Sequence, residues 1–106
     1  MYVRMVFLKL KEGEMDAFRE AFSSEVIPTV TAHKGNRFNH LLECRENKNE
    51  GISVTTWDTR EDFEAYLKSG DYERTSEKYL PMFADEPVIK SYEVTASSEP
   101  LILRIF

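Results

Sequence analysis

The residues from Tyr2 to Leu10 put apolar side chains on both parities of what reads as a single strand. Val3, Met5 and Phe7 fall on one side, and Tyr2, Val6, Leu8 and Leu10 on the other. Successive side chains of a strand point to opposite faces of its sheet, so a strand of this composition needs cover on both. The chain must therefore build a sheet that is sheltered twice.

The following elements supply the first cover. Lys11-Glu12-Gly13 turns the chain, and from Glu14 the period becomes helical, with Met15, Phe18, Phe22 and Val26 on one stripe. Pro28 ends or kinks this helix, which runs on to a stop at Lys34-Gly35. Arg37 to Arg45 alternates again: Phe38, His40, Leu42 and Cys44 share one face, Arg37, Asn39, Leu41 and Glu43 the other. A polar turn from Glu46 to Gly51 joins it to Ile52–Trp57, the pattern of an antiparallel hairpin.

Strand gives way to helix directly after Trp57. Thr59, with Asp62 three residues on, forms a capping-box style start ahead of the apolar Phe63, Tyr66 and Leu67. Ser69-Gly70-Asp71 then resets the backbone, and a second helical segment carries Tyr72, Thr75, Ser76, Tyr79, Leu80 and Phe83, bracketed at its end by Pro81 and Pro87. Val88 to Thr95 reads as a fourth strand. Strand, helix, strand, strand, helix pair, strand is the split β-α-β order of an α+β, ferredoxin-like fold, a four-stranded antiparallel sheet with helices on one face.

Helices on one face leave the other parity of the strands bare. The economical second cover is another copy of the same sheet, so the expected assembly is a homodimer closing into an α+β barrel. Residues 1–96 make the expected domain. Residues 97–106 form a tail whose apolar run Leu101–Phe106 is expected to pair as a strand at the dimer edge.

With 106 residues the chain holds one domain, and a net charge of −5 argues against nucleic-acid and anionic-membrane partners, which need clustered cations. No apolar run is long enough for a membrane span, and Arg4 and Lys9 interrupt the first one too early for a signal-peptide core. The single cysteine, Cys44, forms no internal disulfide, so a reducing cytoplasm is expected and the thiol reads as buried and inert. His33 and His40 are the only histidines and show no metal-ligand spacing; no Gly-rich phosphate loop is present. Neither a metal nor another cofactor is expected.

The segment from Trp57 to Ser69, a strand-ending tryptophan followed by a short acidic helix and a serine break, is similar to its counterpart in the antibiotic biosynthesis monooxygenase family. The resemblance covers roughly residues 2–96. It implies a dimeric α+β barrel with a pocket between sheet and helices in each subunit, where aromatic substrates are oxidised by molecular oxygen without metal or flavin. The haem-degrading monooxygenases resemble the chain in outline too, but Ser76 falls where their axial histidine stands and Val6 where their first-strand asparagine stands. Neither side chain replaces those groups, so haem degradation is not expected.

Within this frame His40 is the candidate base, Asn39 or Tyr72 the candidate oxyanion partner, and Trp57 the wall that excludes water. Tyr66, Ser76 and Val6 complete the expected substrate contacts. Each has a plainer reading: His40 as a hydrogen-bonded core histidine, Asn39 as a surface amide, Trp57 and the tyrosines as packing. The expected activity is cofactor-independent oxidation of an aromatic or quinol-type molecule. The alternative is a dimeric module of the same fold that binds a small ligand, or serves a stress response, without catalysis.

Overall fold

A computed structural model describes residues 1–99; the expected tail strand at residues 101–106 lies outside the described residues. Strand β1 (Tyr2–Lys9) leads into helix α1 (Met15–Ala21), a π-helical turn (Phe22–Val26) and helix α2 (Ile27–Thr31). The hairpin β2 (Asn36–Glu43) and β3 (Glu50–Trp57) follows, then helices α3 (Arg60–Lys68) and α4 (Asp71–Tyr79), a 3-10 turn and strand β4 (Val88–Glu93). The sheet runs β2-β3-β1-β4 with every neighbouring pair antiparallel, the ferredoxin-like order. No helix among the described residues is long and apolar enough to cross a membrane.

Local chemistry explains the breaks. Pro28 has no N–H to return to the preceding turn, and just before it the helix widens, so that the Ile27 N–H reaches back to the Phe22 carbonyl. The Thr59 hydroxyl accepts the Asp62 N–H at 3.1 Å and starts α3 as the capping pattern requires. Between α3 and α4 the Ser69 hydroxyl donates to the Tyr66 carbonyl at 2.6 Å and accepts the Asp71 N–H at 3.2 Å. Gly70 supplies the left-handed residue, at φ 85°, that turns the chain into α4.

The register assigns each parity to a face. Tyr2, Arg4, Val6 and Leu8 of β1 lie opposite Trp57, Thr55, Ser53 and Gly51 of β3, and this is the helix-covered side. Under α1, Leu8, Leu10, Met15, Phe18, Phe22 and Tyr79 form one core cluster; under α3, Val30, Trp57, Phe63 and Tyr66 form a second. The other parity carries Val3, Met5 and Phe7 of β1, Ile52 and Val54 of β3, Phe38, His40 and Leu42 of β2, and Val88 and Tyr92 of β4. No helix among the described residues covers it: Phe38, Leu42, Val88 and Tyr92 are 45%, 48%, 54% and 44% exposed.

One irregularity in β2 matters for the site. Asn36 pairs with Trp57 and Phe38 with Thr56, leaving Arg37 as an extra residue in a β-bulge. Its guanidinium turns to the Asp58 carboxylate, with Nε donating to Oδ1 at 2.6 Å. The bulge also brings Asn36 and Asn39 to the same face although they stand three residues apart.

Gly35, at φ 84°, ends the connection from α2, and a Cβ there would overlap the Asp62 side chain. Gly35→Ala is expected to destabilise the fold by about 1–3 kcal/mol, read as a lower denaturant midpoint at unchanged m-value. Gly13→Ala supplies the reference, since φ is 82° there and nothing lies within 4 Å. Equal losses at the two positions would show that the Asp62 contact is unimportant.

Candidate functional site

Where the two core clusters meet, the sheet floor carries small side chains. Val6 of β1 and Ser53 of β3 are direct cross-strand partners, and above them lies a cavity of about 100 Å³. Phe22 and Val26 form one wall, with Tyr66, Tyr72, Thr75, Ser76 and Tyr79 opposite. The chain leaving α4 is strapped back onto the end of β1, where the Lys11 N–H donates to the Met82 carbonyl at 2.9 Å and the Ala84 N–H to the Lys9 carbonyl at 2.8 Å. Leu80, half exposed, stands at the open side.

Four of the residues singled out in the sequence line this one space: Val6, Tyr66, Tyr72 and Ser76. Val6 and Ser76, which occupy the places of the haem enzymes' asparagine and histidine, sit in the same cavity and offer iron no imidazole nitrogen. Among the described residues no group of three His, Cys, Asp or Glu side chains is placed to hold a metal ion.

The structure puts the other three candidates elsewhere. His40 pairs with Val54 on the helix-free face, beside Phe38, so a single chain does not bring it to Tyr72: the sheet stands between them. Asn39 faces the helices, but its amide is engaged with Asn36. Each Nδ2 donates to the other's Oδ1, at 2.9 and 2.8 Å. The bulge at Arg37 makes this pairing possible. Trp57 is 0% exposed, and its indole N–H donates to the Thr55 hydroxyl at 3.0 Å. It stacks on Tyr66 at 5.2 Å between ring centroids and supports the cavity wall from behind instead of lining it.

Tyr72 is held by its neighbours in sequence and space. Asp71, which opens α4, accepts from the His33 Nε2 at 2.8 Å and from the Arg74 guanidinium, and these two bonds hold its carboxyl below the usual range. His33 packs edge-on to Tyr66 at 4.7 Å, and Tyr66 packs edge-on to Tyr72 at 6.1 Å. The end of α2 is thereby tied to the start of α4, which fixes the Tyr72 ring over the cavity. His33 is thus an anchor for this wall as well as a residue at a helix end.

The phenols lining the cavity are donors. Burial, with a smaller contribution from Tyr72, pushes Tyr66 up to about 12. Burial and the Glu25 carboxylate do the same to Tyr79, also to about 12. No lining residue carries a carboxylate, an imidazole or an ammonium group. The site can therefore hydrogen-bond an oxygen of a ligand and shelter an aromatic ring, but it brings no strong base of its own.

Sequence reasoning missed Ser53, Thr75 and Tyr79 in this lining. Ser53 was visible as the one small polar side chain on the helix-facing parity of β3 between Gly51 and Thr55. A second, larger hollow of about 460 Å³ lies at the end of the sheet. Phe7, Leu42, Ile52 and Val88 of the helix-free face line it, with Cys44, Glu50, Asp85 and Glu86 at its rim.

Comparison with known proteins fits this geometry. A family model, antibiotic biosynthesis monooxygenase, matches residues 1–78. The chain belongs to the antibiotic biosynthesis monooxygenase family. No curated protein sequence matches it significantly. Among solved structures it is similar to a candidate antibiotic biosynthesis monooxygenase of Nitrosomonas europaea, at 20% identity and TM-score 0.74 over 86% of each chain. A candidate antibiotic biosynthesis monooxygenase of Deinococcus radiodurans superposes with TM-score 0.79 at 11% identity, over 93% of this chain and 97% of that one. Rv0793 of Mycobacterium tuberculosis gives 0.76 at 13%, over 92% and 98%. At these identities the likeness to family structures carries the fold alone.

The raised tyrosines give the site a pH signature. Folded Tyr66 keeps its proton to about 12, whereas an unfolded tyrosine loses it near 10.0. The stabilisation is complete below the lower value and is lost as pH rises through the upper one. Thermal unfolding between those limits is expected to show a falling Tm, and Tyr66→Phe should flatten the slope. An equal slope in the variant would mean that Tyr66 titrates normally.

Proposed function

We propose that the sheet–helix cavity binds an electron-rich aromatic molecule of the quinol or phenol class and promotes its oxidation by molecular oxygen, with no cofactor of the protein's own. The supporting observation is the convergence of the Tyr66, Tyr72 and Tyr79 rings with the Ser53, Thr75 and Ser76 side chains on one apolar cavity, in a member of a family named for monooxygenases. Aromatic walls and a few convergent hydroxyls suit a planar ligand with an oxygen at one end.

The chemistry asks for an ionised substrate. Loss of a phenolic or enolic proton leaves an electron-rich carbon that passes an electron to oxygen. The resulting pair combines to a carbon-bound peroxide anion, which takes a proton back from solvent to become the hydroperoxide, and loss of water leaves a carbonyl. One oxygen atom ends in the product and the other in water. Tyr72 and Ser76 would donate hydrogen bonds to the developing anionic oxygen, and the apolar walls would exclude competing water.

The protein would act as a homodimer, its helix-free faces closing on one another. Support comes from the run of half-exposed apolar side chains on that face. Burial contributes roughly 25 cal/mol per Å² of apolar surface. His40, Phe38 and Leu42 would then lie in the interface and not at the substrate. We take residues 1–96 as the functional domain and a reducing compartment such as the cytoplasm as its setting, in keeping with the lone Cys44 thiol.

Oxygen consumption over a panel of benzohydroquinols and naphthohydroquinols tests this reading. The expected result is uptake above the uncatalysed rate with at least one member, lowered about 10²-fold by Tyr72→Phe as for loss of an oxyanion donor. Saturable binding without any uptake would favour the second reading, a non-catalytic ligand-binding module. That reading draws on the lack of a strong base in the lining.

A further inference from the structure

Four surface arginines, Arg19, Arg37, Arg60 and Arg74, are each held by a carboxylate, Glu43, Asp58, Glu64 and Asp71 respectively, while the exposed Arg45 has water around it. Arg4 differs. It stands on β1, directly across from Thr55 on one side and Ser91 on the other, and its side chain runs into the space under α3 and α4. Its guanidinium carbon lies 4.6 Å from the centre of the Phe63 ring and 6.0 Å from that of Tyr72. Among the described residues the buried Nε has no acceptor, and none of the ion pairs includes Arg4.

Stacking on aromatic faces engages the plane of a guanidinium and leaves its N–H edge unspent. A buried guanidinium N–H without an acceptor is costly, and a carboxylate or phenolate meeting that edge would offset the cost. Arg4 also adjoins the cavity. Tyr72, beneath which it lies, is a lining residue, and Val6, two positions along the same strand face, is the floor.

We propose that Arg4 is the counter-ion for an anionic oxygen, a phenolate or carboxylate, on the aromatic ligand held against Tyr72. This rests on the reading of the sheet–helix cavity as the ligand site. It supplies what the cavity lining lacks. A fixed positive charge beside a phenol favours its ionised form, so the proton leaves to solvent without a protein base, and the ligand is bound as the anion that oxygen chemistry requires. The ligand class narrows accordingly, to aromatics that are anionic or become so on binding.

Two coloured probes separate this claim from the reading beneath it. 4-Nitrophenol reports its own ionisation by the absorbance of its phenolate; 4-nitroanisole has nearly the same shape and cannot ionise. In the wild-type protein the bound nitrophenol is expected to titrate about one unit below its free value, as beside an opposite charge. Arg4→Lys should keep much of that shift and Arg4→Met should abolish it, while nitroanisole affinity stays within twofold throughout. The Arg4 Nε–H signal in the NMR spectrum of the wild-type protein should move on adding the phenolate and stay put with nitroanisole, a readout that needs no variant. Nitroanisole binding that Tyr72→Ala weakens, with an unshifted or raised nitrophenol pKa in the wild type, would overturn the role of Arg4 and leave the cavity as a ligand site. Failure of both probes to bind would overturn the two together.

Discussion

The structure depends on β1 being apolar on both sides while lying inside the sheet. Between β3 and β4 it has no free edge, so its side chains have only the two faces to go to. Tyr2, Val6, Leu8 and Leu10 anchor the helices, and Val3, Met5 and Phe7 form the middle of a face that no helix reaches. Helices can shelter one side of a four-stranded sheet. The opposite side keeps half-exposed apolar side chains among the described residues, and the proposed second copy would shelter them.

The ligand cavity follows from the same arrangement. Two core clusters fill the helix side, one under α1 and one under α3, each built around aromatic rings, with Val26 packed against both. At the seam the sheet offers Val6, Leu8 and Ser53, and the space left above them is roofed by Tyr72 together with Tyr66 and Tyr79, the last two pushed up by burial. At about 100 Å³ it is tight compared with pockets for drug-sized molecules, which usually exceed about 300 Å³. A compact planar ligand suits it better than a large polycycle. Arg4 at its border turns a neutral aromatic slot into one with a preferred charge.

Much of the fold was legible because local and long-range signals agreed. Thr59 and Asp62 announced the start of α3, Ser69-Gly70 the break before α4, and the two-sided β1 its interior place. The candidate site was legible only in part. Val6, Tyr66, Tyr72 and Ser76 line one cavity, whereas Asn39 and Trp57 do not line it. Trp57 looked like a wall because it is a wide amphipathic ring at a strand end beside the covering helices, but Thr55 on the same strand accepts its N–H and lets the ring bury completely. Asn39 is consumed by Asn36 through the Arg37 bulge, and a one-residue bulge leaves no mark in an alternation pattern. His40 fell on the parity read from the sequence; which parity the helices would choose was the missing information. Arg4 read as an interruption of an apolar run, and only the packing of Phe63 and Tyr72 around it showed what the interruption does.

The division of labour between the two sheet faces is the central claim, one face for ligand and one for a second copy. Sedimentation equilibrium of the full chain across the micromolar range tests it most directly. The account predicts the mass of a dimer throughout, shifted toward monomer when Leu42→Glu places a charge on the helix-free face. A monomer that stays soluble with that face in water would contradict it.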